Sequence, residues 1–330
     1  MNRMKKGMAA VVAIALTVLA VPALASDLSD LKRRAQQGDA KAQFKLGLMY
    51  NLGRGVPKDM AKAAYWTRKA AEQGNAAAQF NLGVLHEGGR GVPKDMAKAA
   101  YWTRKAAQQG HAKAQFNLGV LHEGGRGVRK DFAKAAYWYR KAAEQGDASA
   151  QFLLGSMYYK GEGVPKNAAK AVYWWQKAAE QGHASPQFLL GDMYFRGEGV
   201  PKDFAKAAYW YRKAAEQGDA SAQFLLGFMY DEGEGVPKDF AKAVHWTRKA
   251  AEQGHAKAQH NLGFMYYKGQ GVLKDVVLAH MWFNIASANG RERAGKARNL
   301  LEGLMSRAGI ERANALARKC MASKYKTCGQ

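Results

Sequence analysis

A thirty-six-residue block recurs seven times in this chain without a slip in spacing, and that regularity limits the fold more than any other feature. One glutamine stands at Gln43, Gln79, Gln115, Gln151, Gln187, Gln223 and Gln259. One glycine stands at Gly47, Gly83, Gly119, Gly155, Gly191, Gly227 and Gly263. One tryptophan stands at Trp66, Trp102, Trp138, Trp174, Trp210, Trp246 and Trp282. A repeat of this length means stacked supersecondary units, each unable to bury its apolar face alone.

Each block reads as two helices. The first is predicted over residues 40–51, with Leu46, Gly47 and Tyr50 at helical spacing. Gly53-x-Gly55-Val56-Pro57 breaks it, since glycine permits positive φ and proline cannot continue a helix. Asp59 is placed to cap the second helix, which carries Ala63, Trp66 and Ala70 as a narrow apolar stripe and ends at Gly74. Gly47 and its copies are expected where two backbones approach closely, and each tryptophan is expected to fill the gap between units.

The blocks share Ala-x-Ala-Gln-Phe-x-Leu-Gly-x-Met-Tyr, Gly-x-Gly-Val-x-Lys-Asp, Lys-Ala-x-x-Trp and Lys-Ala-Ala-Glu-Gln-Gly. This pattern resembles the Sel-1-like repeat, a longer cousin of the tetratricopeptide repeat, over residues 39–290. Departures are few: Arg129 and Leu273 replace the loop proline, Asn167 the aspartate and His260 the phenylalanine. The resemblance implies an all-α fold, a right-handed α-α superhelical solenoid of seven helix-pair repeats with a concave groove. It also implies scaffolding or adaptor binding at or outside the bacterial envelope, and no common active site.

Residues 1–25 read as a secretory signal peptide. Arg3, Lys5 and Lys6 precede an apolar run from Met8 to Val21, and Ala23-Leu24-Ala25 sets cleavage before Ser26. The mature chain is therefore expected in the periplasm or outside the cell, as a monomer without a transmembrane segment. Residues 26–38 read as an N-terminal capping helix, a polar half-unit. Residues 291–330 read as C-terminal capping helices and a tail, with Ala294, Ala297, Leu300, Leu301 and Leu304 on one face. Cys320 and Cys328, the two cysteines of the chain, are expected to form a disulfide in an exported protein.

The chain carries 51 basic and 27 acidic residues; without the leader's three cations the balance is 48 against 27, or +21. The excess recurs with the repeat, as Lys58, Lys62, Arg68 and Lys69 against Asp59 and Glu72 in the first. Such a stripe attracts anionic envelope polymer or lipid, or is simply a solvated helix face. Export argues against nucleic acid. The residue inside Gly-x-Gly turns from Arg54, Arg90 and Arg126 to Glu162, Glu198, Glu234 and Gln270.

No catalytic constellation stands out, and no cofactor is implied. Gly53-Arg-Gly-Val-Pro-Lys58 lacks the ending of a phosphate loop. Ser29-x-x-Lys32 and Ser323-x-x-Lys326 match the first element of penicillin-recognising enzymes without the accompanying ones, so a β-lactamase-like enzyme is the weakest alternative. His86 and His122 occupy the slot of Tyr50 and read as aromatic substitutes; His111, His183 and His255 read as helix caps. A zinc reading of His86, Glu87, His122 and Glu123 is much the weaker one.

The first helices line the inner curve of such a solenoid, and they vary at the positions of Leu48, Asn51 and Leu52. In repeats four to seven these positions present Tyr159, Asp192, Phe195, Phe228, Asp231, Phe264 and Tyr267, with Lys160 and Arg196 alongside. Aromatics ringed by charge are typical of binding hot spots. They are the expected contact set for a protein or peptide partner, against the alternative that several pack under a neighbouring loop.

Overall fold

The computed structural model describes residues 24–326 and residue 328. Among the described residues it is all helical, with seventeen helices. Helix α1 (Leu24–Gln36) precedes seven pairs. These are α2 (Ala40–Leu52) with α3 (Met60–Glu72), α4 (Ala76–Gly88) with α5 (Met96–Gln108), and α6 (Ala112–Gly124) with α7 (Phe132–Glu144). Next come α8 (Ala148–Lys160) with α9 (Ala168–Glu180), α10 (Ala184–Arg196) with α11 (Phe204–Glu216), α12 (Ala220–Glu232) with α13 (Phe240–Ala251), and α14 (Ala256–Lys268) with α15 (Val276–Ala288). Helices α16 (Glu292–Glu302) and α17 (Arg307–Ala322) follow. The chain forms two compact units, Met1–Ala106 and Ala107–Gln330. Of the expected leader, residues 1–23 lie outside the described residues.

Local chemistry sets the helix ends. Asp39, Asn75, Asp147 and Asp219 accept backbone N–H bonds at the starts of first helices; Asp59, Asp131, Asn167, Asp203, Asp239 and Asp275 do so at the starts of second helices. His111 and His255 cap through Nδ1, each accepting from a backbone N–H at 3.2 Å. His183 makes no such bond. The residue three positions on is Pro186, which has no N–H to donate. First helices end on glycines in the left-handed conformation, such as Gly161 at φ 78°.

The two helices of a pair meet at the recurring glycine. A Cβ on Gly155 would stand 2.6 Å from the Trp175 ring and 3.1 Å from the Ala171 carbonyl oxygen. The same site faces Thr67, Thr103, Tyr139, Tyr211, Thr247 and Phe283 in the other repeats. The filler under the glycine is thus the residue after the recurring tryptophan, not the tryptophan itself. The buried stripe of a second helix is also wider than the expected one: Ala135, Ala136, Tyr139, Ala142 and Ala143 in α7. Trp138 lies one helical step off it and is half-buried. The tryptophans do pack between repeats. Trp102 lies against Ala64, Ala70 and Ala71, and Trp210 against a cluster drawn from Ala135 to Met193.

The recurring glutamine is a buried polar rung. Gln151 Nε2 donates to the Ala143 carbonyl at 3.1 Å, and its Oε1 accepts from Gln181 Nε2 at 2.9 Å. Gln115 with Gln145, Gln187 with Gln217 and Gln223 with Gln253 repeat the bond, and Asn289 replaces the donor for Gln259. Each rung gives a helix-end carbonyl, already bonded to a backbone N–H of the turn as Ala143 is to Gly146, a second donor and leaves the buried glutamine amide partnered.

At the N-terminal end, Leu31 and Ala35 of α1 pack on Ala42 and Leu46. At the other end, Ala294 and Leu301 of α16 are buried, but Leu300 and Leu304 are 77% and 74% exposed, against expectation. Leu300 is one step out of phase with Leu301, and the helix stops at Glu302, before Leu304. Cys320 and Cys328 are joined by a disulfide, with Cys320 fully buried.

Candidate functional site

Two faces of the second unit present side chains outward, one from each helix of a pair. The first-helix face carries the residues singled out above, and the structure divides them. Tyr159 is half-buried, tilted against Trp175 at 5.5 Å, and its hydroxyl donates to Glu198 of the next loop at 3.3 Å. Burial, reinforced by Glu198, raises the pKa of that hydroxyl. Asp231 accepts from Gln270 of the next loop at 2.8 Å, and burial, with Glu232 nearby, pushes its carboxyl up. The ring of Phe195 lies edge-on to Phe204 at 5.2 Å and packs on the core. These three therefore pack under or beside the loop region, which was the alternative reading for them.

The others are more open. Asp192 is half-buried and pairs with Arg196 at 2.9 Å, an attraction that raises the guanidinium's pKa. Phe228 is half-buried on α12. On α14, Phe264 and Tyr267 each remain 37% exposed, one helical turn apart. Phe264 stands edge-on to Phe283 at 5.0 Å and to His260 at 4.9 Å, and Lys274 Nζ lies 5.8 Å from the Tyr267 ring centre.

One contact beneath this face was not anticipated. The buried Tyr139 hydroxyl donates to Glu123 at 2.6 Å. Two repeats later, Phe195 occupies the place of Glu123, and the buried Tyr211 hydroxyl has no hydrogen-bond partner among the described residues. Burial raises the pKa of both phenols, so both stay neutral donors.

The second-helix face was not foreseen as a site. Tyr137, Tyr173 and Tyr209 are 52%, 53% and 51% exposed. Each stands edge-on to the tryptophan that follows it, at 4.9 Å. Each carries a lysine one turn on, Lys141, Lys177 and Lys213, with Nζ 6.0, 5.9 and 5.8 Å from the ring centre. The signal in the sequence is a Tyr-x-x-x-Lys spacing beside the recurring tryptophans of repeats one to five, masked by the expectation that the tryptophan is the interior residue. Tyr65 with Lys69 and Tyr101 with Lys105 repeat the arrangement in the first unit.

His86 and His122 are buried within their helices. Among the described residues, no group of three or more His, Cys, Asp or Glu side chains is placed to hold a metal ion. No helix of the described residues is long and apolar enough to cross a membrane.

The Sel1 repeat family model matches residues 40–75, 76–111, 112–147, 148–183, 187–219, 220–255 and 256–290. A solved Sel1 repeat protein from Oxalobacter formigenes is 37% identical, with a TM-score of 0.62, over 84% of this chain and 80% of that one. The solved c5321, a protective antigen present in uropathogenic Escherichia coli strains and displaying an SLR fold, is 31% identical. It matches over 92% of this chain and 89% of its own, with a TM-score of 0.55. A shorter match joins 69 residues, 20% of this chain, to the secretory immunoglobulin A-binding protein EsiB of Escherichia coli O6:H1 at 42% identity. That match spans only 14% of EsiB.

Proposed function

The chain belongs to the Sel1 repeat family, and from that premise we propose that it is a non-enzymatic, exported scaffold that binds a protein or peptide through the first-helix face of its later repeats. Proteins built from Sel1 repeats are generally protein-interaction scaffolds. The observation that carries the proposal is a division of labour within each repeat. The glycine contact and the glutamine rung recur unchanged in type, whereas the outer first-helix positions differ from copy to copy. Outer first-helix positions that change across the later repeats, over a frame of recurring glycine and glutamine, are what a surface shaped for one aperiodic partner requires.

Phe264 and Tyr267 form the centre of that surface, with Phe228 and the Asp192–Arg196 pair beside them on neighbouring first helices. Partly open aromatics contribute most of the binding energy at such sites. Tyr159, Phe195 and Asp231 support them from the loop side. The name of EsiB describes a protein ligand, which supports a protein partner here without specifying one. The basic start, apolar run and Ala23-Leu24-Ala25 of residues 1–25 support export.

The test is a pull-down from envelope extract with the mature chain, at low and high salt, beside a Phe264→Ala/Tyr267→Ala variant of unchanged helicity. A discrete protein retained at high salt and lost in the variant is expected. Capture of the same proteins by chain and variant alike rejects the first-helix face as the site.

A further inference from the structure

The second-helix face differs from the first in one respect: its outward tyrosine recurs unchanged through repeats one to five, before His245 and Met281 take its place in repeats six and seven. Tyr137, Tyr173 and Tyr209 present half-open rings at identical places in three successive repeats, each with a lysine at the ring. Among the described residues none of Lys141, Lys177 and Lys213 is in a salt bridge, so their charge is not neutralised within the fold. A surface that offers the same contact at each step suits a ligand that also repeats.

We propose that the Tyr–Lys ridge of α7, α9 and α11 binds an acidic polysaccharide bearing carboxylated sugars, with a pyranose ring against each exposed tyrosine and its carboxylate on the neighbouring lysine. Charge complementarity carries the choice of occupant. The Nζ positions, 5.8–6.0 Å from the ring centres, set a cation where a carboxylate attached to a stacked sugar ring falls. Exposed Glu144, Glu180 and Glu216 lie one turn beyond the lysines. They accept hydrogen bonds from sugar hydroxyls. A bilayer is the poorer occupant, because the face offers tyrosine but no exposed leucine, isoleucine or phenylalanine to insert between Lys134 and Lys213. Beside Tyr137, Trp138 and Lys141 lies a hollow of about 460 Å³ that also takes in Gln108 and Gly110, a size suited to a small ligand group.

The site is independent of the protein-binding face, and the test separates them. Binding of polygalacturonate, dextran, single-stranded DNA and anionic phospholipid vesicles to the mature chain is measured by titration calorimetry at two salt concentrations. Polygalacturonate is expected to bind, more tightly with increasing chain length and more weakly at high salt, while dextran does not. Tyr137→Ala/Tyr173→Ala/Tyr209→Ala, with circular dichroism unchanged, should weaken binding by at least about tenfold. Lys141→Gln/Lys177→Gln/Lys213→Gln should weaken it and flatten its salt dependence. Phe264→Ala/Tyr267→Ala should leave it unchanged. Undiminished binding by the tyrosine variant overturns the proposal, as does no binding of polygalacturonate, or tighter binding of DNA or vesicles.

Discussion

The two outward faces of a repeat obey opposite rules. On the second-helix face, Tyr137, Tyr173 and Tyr209 are the same residue at nearly the same exposure. On the first-helix face, the equivalent positions hold Glu123, Tyr159, Phe195, Asp231 and Tyr267. The glycine contact and the glutamine rung hold the frame through residues that belong to neither set. Sameness on one surface and difference on the other therefore report on what each surface meets. A recurring contact suits a periodic ligand; a changing one suits a partner with a sequence of its own.

The sharpest way to break this comparison uses two neighbours in α9. Trp175→Ala removes a fully buried ring from the glycine contact and should destabilise the protein by about 3–5 kcal/mol. Tyr173→Ala, two residues earlier, removes a half-exposed ring and should change stability by no more than about 0.5 kcal/mol. Denaturant melts of both variants check this. Equal losses would mean that the second-helix ridge is structural and not a free surface.

A smaller effect is expected at the helix crossing. Gly155→Ala drives a methyl into Trp175, and overpacking of this kind costs about 1–3 kcal/mol. Pairing it with Trp175→Phe should recover part of the loss, a coupling that a double-mutant cycle measures. At the polar rung, Gln151→Leu removes the acceptor of the Gln181 amide and the side-chain donor to the Ala143 carbonyl, and should cost about 1–3 kcal/mol without altering binding at either face.

The smallest effects are in pH dependence, and the two helices should show opposite signs. Asp131, at the start of α7, is held below the usual carboxylate range first by the Lys134 backbone N–H bond. Its contribution to stability is present above the unfolded pKa and is lost as pH falls through the lower folded value. Asp231, on the first-helix face, is pushed up by burial. Its contribution is greatest below the unfolded pKa and is lost as pH rises through the higher folded value. Melting temperatures from neutral to acid pH, with Asp131→Asn and Asp231→Asn, should show the first variant flattening the acid loss and the second removing a loss on the neutral side.

The helix-pair frame was legible because its determinants are local or periodic. Asp59 caps where a cap was expected, and Gly47 sits in the close crossing it was assigned. The candidate contact residues were less legible. Tyr159, Phe195 and Asp231 have the composition of a binding surface, yet each is engaged with a loop or core neighbour, whereas Phe264 and Tyr267 remain open. Composition alone does not reveal this, because the loop partners Glu198 and Gln270 lie thirty-nine residues on. The tyrosine ridge was overlooked for a related reason. Adjacent aromatics in a helix point about one-quarter turn apart, and the choice of which faces inward belongs to the packing.

By itself, the sequence determined the number of repeats, the ends of most helices and the all-helical class. Periodicity, caps and breakers act within one unit and need no distant partner. Tertiary structure alone decided which of Tyr173, Trp174 and Trp175 is buried and where Gln151 finds its partners. Those outcomes depend on the helical phase that the neighbouring helix accepts and on groups thirty residues away that only stacking brings within hydrogen-bond reach.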